Sequence, residues 1–286
     1  MRYKCLSIAG FDSSGGAGIQ ADLKTFSAFG CYGMTVLTAL PVQNTCGVKS
    51  YYDIEDRCIQ DQLEVIFDDI IPDSIKVGML FSPKIVTLVA KFLSKNARGI
   101  PIVVDPVMVA QSGDLLLKEE AIDLLKRELL PIATIITPNF PEAKTLVEGS
   151  GYIGKKTPQS AGEKDMEHLA DKLLSMGPNA VLLKGGHLSG ETSDDLLVDM
   201  AGNKRLFRSK RIPSKNTHGT GCTLSAAICA CLALGYPLIE ACQIAKNYLF
   251  LALKAAEEGS VGKGSGPVHH FYDIWPTINM EKRRYL

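Results

Sequence analysis

The sequence predicts an α/β fold with a mostly parallel central sheet that is covered by helices on both faces. Two patterns carry this prediction. Short apolar runs alternate with segments of helical spacing along the 286 residues, and each run is apolar throughout rather than at every second residue. A strand that is apolar on both sides is buried on both faces, as strands of parallel sheets packed between helices are.

The first half of the chain shows this alternation clearly. Strands are predicted where apolar and β-branched residues are continuous, at 5–9, 34–40, 74–79 and 100–104. Helices are predicted where apolar residues recur every three or four positions, at 19–29, 56–70 and 83–95. Loops are predicted where Gly, Ser and other polar residues cluster, at 11–18 and 43–47.

The second half continues the same order and adds a hairpin. Further strands are predicted at 133–136 and 180–183, and a hairpin is predicted from 195–200 and 205–208. Helices are predicted at 119–129, from Glu142 onward, and at 166–176, 223–234 and 238–256. Residues 148–162 lack periodicity and predict an exposed loop. No repeat or shift in composition marks a linker, so residues 1–286 are expected to form one domain.

Composition excludes several classes of partner. Lys plus Arg and Asp plus Glu number 31 each, so nothing favours a basic surface for nucleic acid or for a membrane. The first residues do not resemble a signal peptide and no apolar stretch reaches a membrane-spanning length, which predicts a cytoplasmic protein. The eight cysteines lack the spacings of a zinc site, and most are expected to be reduced and buried.

Phosphate binding is predicted at residues 219–222. Gly219 and Gly221 allow the backbone to bring several N–H groups close to a ligand, and an apolar helix follows directly. The N-terminus of a helix favours an anion, so phosphate is the expected ligand of Gly219, Thr220 and Gly221, with Cys222 beside it.

Charged residues follow other predicted strands, and ligands of parallel sheets bind at these carboxyl ends. Asp105 and Glu142 carry hard oxygen ligands of the kind that hold Mg²⁺ together with substrate phosphates. Lys184 follows the strand at 180–183 and can neutralise phosphate charge. A cation, carboxylates for Mg²⁺ and a backbone anion site are the parts that phosphoryl transfer needs.

Two other functions would use parts of these segments. Residues 16–21 match the G-x-G-x-x-A form of a dinucleotide-binding fingerprint, which would suit an oxidoreductase, but the loop is too long and no acidic residue lies at 35–42. Nucleophilic catalysis by Cys222 with His218 is the other reading, and only Asn216 is near enough in sequence to orient the histidine. The G-x-x-x-x-G-K-[ST] sequence of a P-loop does not occur.

Beyond these single motifs, the chain closely resembles one family along nearly its whole length. The matching segments are residues 9–22, 43–45, 76–80, 105–108, 137–142, 184–187, 216–225 and 262–270. They are similar to the hydroxymethylpyrimidine/phosphomethylpyrimidine kinases of thiamine biosynthesis, in the ribokinase superfamily. The resemblance implies a three-layer α/β/α fold, a homodimer, and phosphorylation by Mg-ATP of 4-amino-5-hydroxymethyl-2-methylpyrimidine and then of its monophosphate.

The resemblance also implies roles for individual residues. Residues 219–222 would form the anion hole, Asp105 with Asn139 and Glu142 would organise Mg²⁺ and phosphate, and Lys184 with Lys246 would contact ATP. The side chains implied to line the pyrimidine pocket are Asp22, Gln43, Met79 and Val107. The Gln43 amide could pair with the donor and acceptor of an aminopyrimidine.

Cys222 stands where most of the superfamily has an aspartate base. A thiol at a helix N-terminus is expected to have a lowered pKa, so Cys222 is a candidate base for the substrate hydroxyl. A pyridoxal or pyridoxine kinase remains the alternative within kinases, because both substrates are six-membered nitrogen heterocycles with a hydroxymethyl arm.

Overall fold

The computed structural model describes residues 3–108, 120–152, 161–259 and 261–275. Its strands are β1 (Lys4–Ala9), β2 (Tyr32–Leu37), β3 (Leu40–Asn44), β4 (Gly47–Tyr52), β5 (Ser74–Val77), β6 (Ile102–Val104), β7 (Ile135–Ile136), β8 (Ala180–Lys184), β9 (Asp195–Asp199) and β10 (Lys204–Phe207). Its α-helices are α1 (Gly18–Ala28), α2 (Asp56–Asp69), α3 (Pro83–Asn96), α4 (Glu120–Leu124), α5 (Phe140–Glu148), α6 (Glu163–Leu174), α7 (Thr220–Ala233) and α8 (Leu238–Ala255).

Eight strands form one sheet in the order β10-β9-β8-β7-β6-β5-β1-β2. Within this sheet, β2, β1, β5, β6, β7 and β8 are parallel to one another. Strand β9 is antiparallel to both β8 and β10. The parallel sheet and the terminal β9–β10 hairpin confirm the prediction. Because the parallel strands all run the same way, their carboxyl ends meet along one edge of the sheet.

Helices cover the two faces of the sheet in separate groups. Helices α2 to α6 pack on one face, where alternate strand residues such as Leu6 and Ile8 join a core that continues into the helices. Helices α1, α7 and α8 pack on the other face with the intervening residues, such as Cys5 and Val103. This alternation accounts for the uninterrupted apolar runs, and the three layers confirm the predicted fold class.

A second, two-stranded sheet corrects the prediction for residues 43–47. Strands β3 and β4 form an antiparallel hairpin that pairs with no other strand in the described part of the chain, with a shift of register between Val42 and Gln43. Gln43 therefore lies in a strand, and the turn is only Thr45 and Cys46. The hairpin was missed because its sequence is polar at this turn and does not alternate, since neither face is buried as in the main sheet.

Other differences concern where helices begin. Helix α7 starts at Thr220, so the predicted anion loop is also the first helical turn. Helix α5 starts at Phe140 behind an Asn139 cap, two residues before the predicted start. Residue 119, residues 153–160 of the predicted 148–162 loop and the C-terminal residues beyond 275 lie outside the described residues.

Cysteine burial and helix hydropathy agree with the composition. The side chains of Cys5, Cys31, Cys229, Cys231 and Cys242 are buried, and all eight thiols are free. Within the described ranges, no helix is both long and apolar enough to span a membrane.

Candidate active site

A cavity of about 850 Å³ opens along the carboxyl edge of the sheet. One end is lined by residues that follow β1 and β5 and by the β3–β4 hairpin, including Gly10, Gln43 and Met79. The other end is lined by residues around β8, β9 and α8, including Gly186 and Phe250. The first turn of α7 lies in the wall between them. The cavity thus has room for two ligands that meet at α7.

The first turn of α7 has the geometry of an anion site. Gly219 precedes the helix with φ of 77°, in the left-handed region, and Thr223 N–H donates back to Gly219 O over 2.8 Å. The N–H groups of Gly221 and Cys222, two and one residues before Thr223, have no preceding carbonyl to bond within the helix. Both residues line the cavity, where the helix dipole favours an anion.

Gly219 is required for a second, steric reason, which gives a test of the loop. A Cβ at this position would lie 1.8 Å from Gly16 O, whereas a Cβ on Gly235, which also has positive φ, would meet nothing within 4 Å. We expect Gly235→Ala to cost about 1–2 kcal/mol from backbone strain alone, and Gly219→Ala to cost about 1–3 kcal/mol more. Chemical denaturation of both variants measures the difference in their free energies of unfolding. Equal losses would show that the loop at Gly219 is not in contact with the loop at Gly16.

Lys184 lies opposite this first turn. Its ammonium is 2.9 Å from Asp105 Oδ1 and 4.0 Å from Glu142 Oε2. A Cβ on Gly221 would be 3.2 Å from Lys184 Nζ and 3.4 Å from Asp105 Oδ2. Although burial opposes its charge, the two carboxylates raise the pKa of Lys184 above its usual value. A fixed cation therefore lies close to the first turn of α7.

Glu142 is held at the site by the cap of α5. Its N–H donates to Asn139 Oδ1 over 2.9 Å, and its Oε2 accepts from Asn139 N–H over 2.7 Å, so the predicted Asn139 role includes fixing Glu142. Burial raises the pKa of Glu142 to about 7, and Asp105 adds to this while Lys184 opposes it. Two carboxylates near one lysine leave an excess of negative charge that a further cation would relieve.

These carboxylates fit Mg²⁺ that is shared with phosphate. Among the described residues, no three His, Cys, Asp or Glu side chains are grouped so that they could hold a metal by themselves. Mg²⁺ commonly takes only one or two protein carboxylates and completes its shell with phosphate oxygens and water. Asp105 and Glu142, both lining the cavity, suit that mode of binding.

Lys246 lies in the wall of the other end of the cavity and has protein partners of its own. Its ammonium donates to Asp195 Oδ2 over 2.7 Å and to Ser193 O. The Arg211 guanidinium, also in this wall, donates to four carbonyl oxygens of the 186–192 segment. Both cations hold the loops around β8 and β9 together, and the apolar side chains of Leu249, Phe250 and Leu253 complete this end.

The predicted acceptor residues fall at the first end of the cavity, with one exception. Gln43, Met79 and Val107 line it. Asp22 does not: its carboxylate is fully buried, 2.8 Å from Lys76 Nζ and 2.5 Å from Ser7 Oγ. The prediction that Asp22 lines the pocket differs from the structure, because a carboxylate on α1 finds its partners inside the protein.

Lys76 is a residue of this wall that sequence reasoning did not single out. It lines the cavity although its side chain is 0% exposed. Burial alone would lower its pKa, but the Asp22 carboxylate raises it, so the ammonium stays charged. The sequence does contain a signal for Lys76, which is a lysine inside an otherwise apolar buried strand. Such a charge needs a partner or a ligand.

Cys222 lies beside the anion site, but its thiol differs from the expectation of a lowered pKa. Burial raises the pKa of Cys222 to about 11, with Asp22 and Asp105 acting in the same direction. Lys76 and a hydrogen bond from the Gly18 backbone N–H oppose this rise. The free protein therefore holds Cys222 as a thiol at neutral pH, because enclosure outweighs the effect of the helix N-terminus.

Asp12 organises the glycine loop before α1 and was also missed. Its Oδ2 accepts from Gly16 N–H over 2.9 Å and from Ala17 N–H over 2.7 Å, and it lies 2.8 Å from His218 Nε2. Although burial acts the other way, the hydrogen bonds from His218 and Ser14 lower the pKa of Asp12. His218 is thus bound to a carboxylate that fixes the two loops together, and residues 16–21 do not form an isolated dinucleotide motif.

Comparison with known proteins is consistent with this site. Residues 12–269 match the family model described as phosphomethylpyrimidine kinase. A hydroxymethylpyrimidine/phosphomethylpyrimidine kinase of Rhizobium meliloti (strain 1021) is 47% identical over 270 residues, which cover 94% of this chain and 97% of that protein. The family model spans the positions of the candidate site residues from Asp12 to Lys246.

Solved structures give two further similarities. A phosphomethylpyrimidine kinase from Clostridium difficile 630 has a TM-score of 0.73 at 44% identity, covering 86% of this chain and 97% of that one. A pyridoxal kinase from Bacillus subtilis, solved as an ADP complex, has a TM-score of 0.84 at 36% identity, covering 95% of this chain and 98% of that one.

Proposed function

The chain belongs to the phosphomethylpyrimidine kinase family, and we propose that it phosphorylates 4-amino-5-hydroxymethyl-2-methylpyrimidine with ATP and then phosphorylates the monophosphate. The observation that carries this proposal is the approach of Lys184 and Asp105 to the first turn of α7, at 3.2 and 3.4 Å from a Cβ on Gly221. An anion bound at the first turn of α7 would meet the helix N-terminus and have the Lys184 ammonium close by. That is where a transferred phosphoryl group needs compensating charge.

We assign one substrate to each end of the cavity. The apolar end near Leu249, Phe250 and Leu253 suits the adenine of ATP, with the phosphates directed toward Lys184. The end with Gln43, Met79 and Val107 suits the pyrimidine ring, whose amino group and ring nitrogen match the donor and acceptor of the Gln43 amide. Held this way, the hydroxymethyl oxygen points to the γ-phosphate near Gly219, Thr220 and Gly221.

In the reaction, the acceptor oxygen bonds to the γ-phosphorus as the bond from this phosphorus to the β,γ-bridging oxygen breaks, and ADP leaves. The hydroxyl proton is released to a base, for which Cys222 is the candidate, with Lys76 as the charge that favours its thiolate. Lys184 and the N–H groups of α7 stabilise the charge on the phosphoryl oxygens. Mg²⁺, held by Asp105 and Glu142, would further neutralise that charge when bound. In the second step a phosphate oxygen of the monophosphate is the acceptor, and because this oxygen is already ionised near neutral pH, it needs no base.

Replacing Glu142 tests the metal assignment. We expect Glu142→Gln to raise the half-saturating Mg²⁺ concentration by about 10- to 100-fold, the range seen when metal shells are altered. The amide oxygen can still accept from Asn139 N–H, so the α5 cap should survive. Glu148→Gln, which removes a carboxylate paired with Lys144 at the far end of the same helix, should leave the Mg²⁺ dependence unchanged. An unchanged Mg²⁺ dependence in Glu142→Gln would remove this residue from the metal site.

A pyridoxal kinase is the second candidate, because the Bacillus subtilis pyridoxal kinase has a TM-score of 0.84 with this chain. Parallel assays with the hydroxymethylpyrimidine, its monophosphate and pyridoxal separate the two activities.

We also infer, from the family resemblance, a homodimer that acts in the cytoplasm. Light scattering of the purified protein at assay concentration tests the dimer, and a monomeric mass would contradict it.

A further inference from the structure

The β3–β4 hairpin carries Gln43 and, among the described residues, is a sheet of its own, so contacts outside its strands hold it in place. On one side, Ser13 Oγ donates to Gln43 O over 2.5 Å. At the tip, Thr45 O accepts from Ser265 N–H over 3.0 Å, and Thr45 Oγ1 accepts from Gly264 N–H over 3.2 Å. The tip of the hairpin is therefore held by a segment more than 200 residues later in the chain.

That segment, residues 262–266, is here called the glycine bridge. Its sequence has glycine at every second position, and each glycine faces a close neighbour. A Cβ on Gly262 or Gly264 would lie 2.3 or 2.0 Å from atoms of Thr45, and a Cβ on Gly266 would lie 2.2 Å from Asn216 Oδ1. The three glycines allow the bridge to touch the hairpin on one side and the chain before α7 on the other.

Ser265 joins these two sides. Its N–H binds the hairpin, whereas its Oγ donates to Lys215 O over 2.9 Å and lies 3.3 Å from Thr217 Oγ1. The next residue, Gly266, accepts from His218 N–H over 3.0 Å. His218 immediately precedes Gly219. A continuous set of hydrogen bonds thus runs from the strand of Gln43 to the residue before the anion site.

We propose that Thr45 and Ser265 are positioning residues, which set the distance between Gln43 and the anion site through the glycine bridge. This inference rests on the proposed function, since it takes Gln43 as the group that binds the acceptor ring. One acceptor molecule must reach Gln43 with its ring and the γ-phosphate with its oxygen. A hairpin already fixed at this separation binds the acceptor more tightly, because less ordering is needed on binding.

The test compares Thr45→Val, which removes the hydroxyl acceptor and keeps the branched shape, with Thr45→Ser, which keeps the hydroxyl. For Thr45→Val we expect the KM of the pyrimidine to rise about 3- to 10-fold, the range for one lost hydrogen bond, with the KM of ATP unchanged. Thr45→Ser should keep the wild-type KM of the pyrimidine. When Thr45→Val is combined with Ser265→Ala, the rise in the KM of the pyrimidine should be smaller than the product of the two single rises. The reason is that both residues act through one bridge.

Hydrogen exchange gives a readout that needs no substrate. Ser265→Ala should speed amide exchange in residues 40–52 while leaving α3 protected as in the wild type. If the wild type phosphorylates neither pyrimidine, the proposed function fails, and this exchange experiment still tests the bridge. The proposal is overturned if Thr45→Val leaves both KM values unchanged, if it raises both without rescue by serine, or if hairpin exchange does not respond to Ser265→Ala.

Discussion

Replacing Lys184 by Met should lower kcat by about 10²- to 10³-fold, the loss that follows removal of one preorganised group from the charge-stabilising part of an active site. The ammonium lies 2.9 Å from Asp105 and faces the first turn of α7. Without it, the γ-phosphate would meet the negative charge of Asp105 and Glu142 with no lysine to balance it. Initial rates at saturating Mg-ATP and acceptor measure the effect.

Two further variants test whether the loss of kcat comes from the lysine at this position rather than from the removal of any lysine. Lys144→Met removes a lysine from a 2.9 Å ion pair on the outer surface of α5 and should change kcat by less than about twofold, because exposed ion pairs contribute little. Gly221→Ala keeps Lys184 but places a methyl group 3.2 Å from its ammonium, so it should lower kcat without lowering thermal stability. The assignment fails if Lys184→Met keeps more than about a tenth of the wild-type kcat.

Replacing Cys222 by Ala should lower kcat/KM for the pyrimidine by about 100-fold at pH 8, the contribution typical of a positioned base. Burial holds the pKa of the thiol at about 11. Below that pH the thiolate fraction grows about tenfold with each pH unit. If the thiolate is the base, kcat/KM of the wild type should therefore rise from pH 7 to pH 9, and the alanine variant should not show this rise.

Alkylation tests the same thiol without turnover. Cys46 and Cys58 are exposed, so they are first replaced by Ser. Iodoacetamide should then modify Cys222 slowly at pH 7 and increasingly fast up to pH 9. A reaction rate that levels off below pH 8 would show a lowered pKa, as the helix N-terminus alone predicts. A flat pH profile together with near wild-type turnover in Cys222→Ala would make this residue only part of the pocket wall.

The central sheet could be predicted from the sequence because its strands are buried on both faces. Continuous apolar runs such as residues 5–9 and 180–183 have few other interpretations in a chain of this length. The sequence also predicts the anion site, because Gly219 and Gly221 lie at the start of an apolar helix. The family resemblance then supplied the substrates, which no pattern of hydropathy contains.

Features that depend on pairing between distant segments could not be predicted. The β3–β4 hairpin is polar because neither face packs as the main sheet does, so residues 43–47 looked like a loop. The family resemblance implies Asp22 in the pocket, and nothing in its local sequence shows that Lys76, 54 residues later, pairs with it. The pKa of Cys222 was expected to fall because enclosure by the folded chain cannot be seen in a local sequence.

The most direct test of the whole account measures ADP formation from Mg-ATP with three acceptors in parallel: the hydroxymethylpyrimidine, its monophosphate and pyridoxal. We expect turnover of both pyrimidines and little of pyridoxal. Mass spectrometry of the products should show one and then two added phosphoryl groups on the pyrimidine. Turnover of pyridoxal alone would keep the fold and the phosphate site but contradict the assigned substrate.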